Sequence, residues 1–122
     1  MAFSPSERKA AREHLLRLAR RHGIEIAWRP ERRWYESECH VGHRIMWVRE
    51  PKILMDYLAA LHEFGHMVCP RAAAAGNHIA TEEAAAWDWA LAHMPRPFRQ
   101  QLTGKHYDLM GGAWASCLRD RW

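Results

Sequence analysis

His62-Glu63-Phe64-Gly65-His66 reads H-E-x-x-H, and it holds the residues best suited to chemistry in this chain of 122. Helical residues four apart project from one face, so His62 and His66 converge on one point in space. Two neutral imidazoles there supply two legs of a tetrahedral zinc site. Glu63, one residue along, points about a quarter-turn away and reaches a water at the metal without being a ligand. That division suits hydrolysis: zinc lowers the pKa of the water toward ~7, and the carboxylate takes its proton and passes it on. Two ordinary surface histidines beside a glutamate would spell the same string, so the flanking sequence decides between the two readings.

The stretch before the motif supports a core helix. Ile53, Leu54, Tyr57, Leu58, Leu61 and Gly65 recur at three- and four-residue spacing, which makes one buried face. Pro51 suits the first helical position, and Cys69-Pro70 marks the stop. A catalytic zinc also needs a third protein ligand, and two His plus one Glu is a standard set. Glu82 and Glu83 open the helix that follows, with Thr81 as its expected cap and Pro95 as its stop. Antiparallel packing of the two helices would return one of these acids to the metal. Glu83 shares a face with Trp87, Ala90, Leu91 and Met94, and Glu82 with Ala86, Trp89 and His93; both faces are compatible with burial. Acids at a helix amino terminus also complement the dipole, which accounts for one of the pair in any case.

Upstream, Ser4-Pro5-Ser6-Glu7 reads as a capping box opening a helix, with Ala11, Leu15, Leu18 and Ala19 as its apolar stripe and Gly23 as its end. Arg8, Lys9, Arg12, Arg17, Arg20 and Arg21 cover much of the remaining surface. Such a face binds phosphates in some proteins and is merely solvated in more, so weak, non-specific nucleic-acid binding is the most expected of it. Ile24–Trp28 alternates as a strand, residues 29–43 are polar and irregular, and Arg44–Val48 is a second strand. An edge strand near Ile45–Val48 could hold an extended peptide by β-augmentation.

At this point the chain resembles a known family. An amino-terminal helix, a Gly-Ile-x-Ile strand, a second strand, the H-E-x-x-H helix and a later E-x-x-A-x-x-[FW]-A helix are similar to the ImmA/IrrE-type zinc metallopeptidases. The matching residues are His62, Glu63 and His66, then Glu83, Ala86, Trp89 and Ala90; Met94-Pro95 resembles a Met-Pro that often follows there. The resemblance covers roughly residues 10–95. It implies that His62, His66 and Glu83 bind zinc, that Glu63 is the general base, and that the substrate is a regulatory protein, often a helix-turn-helix repressor of bacteria or phage. Trp87 departs from the family pattern, where many relatives carry Asn, Asp or Glu.

The rest of the chain bounds these expectations. Its length fits one domain, residues 1–122, with a modest core. No run of about 18 apolar residues suggests a membrane span, and Met1–Ser4 does not open a secretory leader, so a cytoplasmic protein is expected. Cys39, Cys69 and Cys117 are odd in number and far apart, as reduced thiols would be. The net charge of +4 sits in residues 1–61, with twelve Lys and Arg against eight Asp and Glu; residues 62–122 balance. Cys39, His40 and His43 are ligand types at a spacing that fits no zinc knuckle, so an exposed loop is expected there. The seven Trp are expected in the core or the cleft wall. Residues 71–77 read as a small-residue connection, Pro97 to Thr103-Gly104 as a short helix, and about 108–121 as a last one. His40, His43, His78, Tyr57 and Tyr107 are all candidate donors to an oxyanion. Together these features predict an α+β, zincin-like domain, mainly helical with a small antiparallel sheet, acting as a zinc endopeptidase. The rival expectation is a non-catalytic binding module with a structural metal and a basic helix that docks a protein or DNA.

Overall fold

Ser4 and Gly23 delimit the first helix, α1 (Pro5–His22), in the computed structural model, which describes residues 2–69, 79–111, 118 and 122. The Ser4 hydroxyl accepts from the Glu7 N–H, and the Glu7 carboxylate accepts from the Ser4 N–H, so two orphan donors are satisfied. Gly23 closes the helix at φ 64°, a left-handed conformation that costs glycine little. The chain then runs through β1 (Glu25–Trp28), a 3-10 turn (Trp34–Glu36), β2 (Glu38–His40), β3 (Ile45–Val48) and α2 (Leu54–Val68). Beyond the undescribed residues 70–78 come α3 (Ile79–His93), α4 (Arg96–Arg99) and α5 (Gly104–Met110).

α2 is the axis of the core. Leu54 through Leu61 are buried without a break, followed by Glu63, Phe64, Gly65 and Met67. Fully burying one Leu contributes roughly 1.5–3 kcal/mol, so a helix buried over most of its length is a stable platform for the site it carries. Ala11, Leu15, Leu18 and Ala19 of α1, Met46 and Val48 of β3, and Trp87, Ala90, Leu91 and Met94 of α3 belong to the same core.

The sheet is mixed, not antiparallel. Its order is β1-β3-β2: β1 lies parallel to β3, with Glu25 opposite Ile45, and β2 lies antiparallel to it, with Cys39 opposite Met46. The residues between β1 and β3 are long enough for a crossover and themselves supply β2, which a polar Glu-Cys-His triplet does not announce. Ile45–Val48 is therefore the central strand, paired on both sides, and cannot offer a free edge. Arg44, at φ 54°, ends the β2–β3 turn. Its guanidinium donates to the carbonyls of His22 and Met67, placing one cation at the carboxyl ends of both α1 and α2.

Three helix boundaries differ from expectation. α2 starts at Leu54 rather than Pro51, because the Asp56 carboxylate accepts from the N–H groups of Lys52 and Ile53, and Ile53 is bridged to Ala2. α3 starts at Ile79, upstream of Thr81, so Thr81 is not its cap. Gly104 opens α5 rather than closing α4, with Thr103 at the N-cap position and its N–H donating to His106 Nδ1. Of the expected helix over 108–121, Asp108–Met110 belong to α5 and Leu118 is helical; residues 112–117 and 119–121, like the 71–77 connection, lie outside the described residues. No helix among the described residues is long and apolar enough to cross a membrane.

Candidate metal centre

Helical periodicity sets the first half of the site. Ala59, His62, Glu63 and His66 project from α2 into one cleft of about 500 Å³. His62 and His66 stand with ring centroids 4.5 Å apart. Trp87 of α3 stacks on His62 at 3.8 Å and 9°, so one imidazole is held flat against a buried indole. The Trp87 Nε1 is buried and has no hydrogen-bond partner among the described residues, so it is the indole face that holds His62. Asp88 accepts from the Trp122 Nε1 at 3.0 Å instead of turning to the histidines.

The second half depends on how closely α3 approaches α2. A Cβ placed on Gly65 would lie 2.5 Å from the Ala86 carbonyl oxygen, so the absence of a side chain there is what allows the contact. One turn before Ala86, Glu83 reaches both histidines: Oε2 is 3.0 Å from His62 Nε2 and Oε1 is 2.8 Å from His66 Nε2. His62, His66 and Glu83 each offer one ligand atom within 4.8 Å of the others, the one such group among the described residues. Glu82, half-buried, is not part of it.

The donor set fits zinc. Two imidazoles and a carboxylate are a ligand set that zinc takes, and one atom of each lies within 4.8 Å of the others. Burial alone would push the Glu83 carboxyl up, but hydrogen bonds from His62 and His66 and their charge hold it well below the usual carboxylate range. The same hydrogen bond to Glu83 raises His66, against the opposing effect of burial.

Glu63 is 7% exposed and stands apart from the three-atom group, its Oε1 3.9 Å from His62 Nδ1. The Cys39 thiol of β2 faces it; burial first, then the Glu63 charge, raises that thiol above its ordinary range and keeps it protonated. β2 thus borders the cleft, and among the described residues it pairs only with β3, which leaves its outer edge free. Cys39 and Cys69 are free thiols. His40, the last residue of β2, and His43, in the turn after it, are exposed with their rings 4.2 Å apart, and neither belongs to a metal-binding group among the described residues.

Most of the expected oxyanion donors lie elsewhere. Tyr57 is fully buried, and its hydroxyl is bonded to His14 Nδ1 on the core side of α2. Tyr107 is buried, and neither it nor His40 and His43 line the cleft; His78 is outside the described residues. Tyr35, which the sequence did not single out, does line it and is 62% exposed. The neighbouring Ser37 hydroxyl is already donated to the Trp34 carbonyl at 2.7 Å. Nothing in the Arg-rich sequence around Tyr35 distinguishes it from a loop tyrosine, so only the fold could bring it forward.

Compared with family models, curated proteins and solved structures, the chain has no significant match.

Proposed function

We propose that this protein is a zinc-dependent endopeptidase of zincin-like design, with His62, His66 and Glu83 holding the ion and Glu63 as general base. The observation that carries this reading is the placement of Glu63: a buried carboxylate in the cleft, next to the ligand group but outside it. A purely structural site has no use for such an acid. Zinc, when bound, supplies Lewis acidity toward the scissile carbonyl and toward water. Glu63 takes the proton from the attacking water and delivers it to the leaving amide nitrogen. Trp87 keeps the His62 ring in position by stacking. Tyr35 offers its hydroxyl to the oxygen that gains charge. The free edge of β2 receives the substrate backbone as an added strand, the role the sequence pointed to in Ile45–Val48. A regulatory protein as substrate follows from the family resemblance alone.

Two measurements test the assignment. Purified protein should carry close to one zinc per chain by elemental analysis. Glu63→Gln should keep the zinc and lose peptide hydrolysis, whereas His66→Ala should lose both. A protein free of transition metal after mild dialysis, or a fully active Glu63→Gln variant, refutes the proposal.

A further inference from the structure

Large apolar side chains seldom stand in solvent without a reason when they gather at a cleft. Among the described residues, Tyr35, Val41, Leu109 and Trp122 are the exposed large hydrophobics. Two of these, Tyr35 on the 3-10 turn and Leu109 on α5, are wall residues of the cleft above His62 and His66. They come from opposite ends of the chain, so no local packing need explains why both are there. Trp34 braces Tyr35 edge-on, with centroids 5.4 Å apart at 88°, and Met110 lines the cleft next to Leu109.

We infer that the cleft selects a peptide carrying a bulky, uncharged apolar side chain, seated between Tyr35 and Leu109. This rests on the peptide-binding reading above and adds the substrate class to it. The charges around the cleft favour the same occupant. Among the described residues its walls carry Glu38, Glu63 and Glu83 and no Lys or Arg, so away from the metal ligands an acidic side chain finds no cation in the walls. A basic one finds the rim carboxylate of Glu38 already held by Arg32 at 2.7 Å. An apolar side chain gains burial on both flanks, while the peptide backbone follows the β2 edge.

The test uses zinc-loaded Glu63→Gln protein and blocked alanine hexapeptides with Leu, Phe, Met, Asp or Lys at one central position, with binding followed by calorimetry. Leu, Phe and Met peptides should bind at least about ten-fold tighter than the Asp and Lys peptides, as a hydrophobic pocket discriminates. Leu109→Asp, a change at an exposed position, should abolish that preference and leave the zinc content unchanged; Leu109→Ala should weaken it. Equal binding of all five peptides, binding of none, or an unaltered preference in Leu109→Asp overturns the inference. Digestion of the same peptides by the unsubstituted protein separates the two claims. Peptides bound with the expected preference but never cut would remove the endopeptidase assignment and leave the selectivity standing; peptides cut without preference would do the reverse.

Discussion

Gly65 and Ala86 meet backbone to backbone: a Cβ on Gly65 would stand 2.5 Å from the Ala86 oxygen and 2.9 Å from its Cα. This contact fixes the spacing of α2 and α3, and hence the distance from Glu83 to the two histidines. Backbone atoms cannot rotate aside as a flexible side chain can, so any group added at Gly65 has to push the helices apart.

Gly65→Ala should therefore destabilise the protein by about 1–3 kcal/mol, the usual range for overpacking. In an exposed helix the same change stabilises by up to about 1 kcal/mol, so the expected sign is inverted by the packing. Urea unfolding gives the sign, and zinc titration should show weaker binding as Glu83 is displaced. A variant as stable and as zinc-avid as the parent would mean that the helices are not held at this contact.

The two adjacent acids should separate cleanly. Glu83→Ala reduces three ligand atoms to two and should weaken zinc binding severely. Glu82→Ala removes only an acid from the first turn of α3, at a cost of about 0.3–1 kcal/mol of stability. Zinc affinities of both variants decide the matter; a site emptied by Glu82→Ala and retained in Glu83→Ala would contradict the observed geometry.

Tyr35→Phe should lower kcat by at least about ten-fold with little change in KM or zinc content, since the ring remains and only the donor is lost. Equal loss in KM alone would make Tyr35 a wall residue and nothing more.

His14 sets an acid limb to stability. Burial, reinforced by the charges of Arg17, His93 and Arg21, lowers its pKa from 6.5 to about 4. Its Nδ1 shares a hydrogen bond with the Tyr57 hydroxyl, which burial keeps protonated. The unfolded chain binds a proton near pH 6.5 that the folded chain refuses. The contribution is thus fully present above pH 6.5 and is lost as pH falls toward 4. His14→Gln should flatten the fall in the urea midpoint across that window. His22 and His106 are also lowered, so a smaller slope should persist. An unchanged slope would show that His14 is protonated in the fold.

Local periodicity and capping made much of this protein legible from its residues alone. Ser4, Glu7 and Gly23 mark both ends of α1, and the four-residue step from His62 to His66 brings two imidazoles together whatever surrounds them. Such features depend on atoms within one or two helical turns, so they are written in the local sequence. The pairing of β3 on both sides and the arrival of Tyr35 and Leu109 at one cleft were decided only by tertiary structure, which also places Glu83 rather than Glu82 beside the histidines, a choice that periodicity left open and the family resemblance favoured. Ile45–Val48 has the pattern of a strand, but its rank as centre or edge depends on where Glu38–His40 pairs. Either acid would suit the first turn of α3, and the approach of that helix through Gly65 and Ala86 selects one. These outcomes turn on contacts between segments far apart in the chain, where adjacent helical residues diverge by about 100° and a small rotation of one helix exchanges which side chain meets its neighbour.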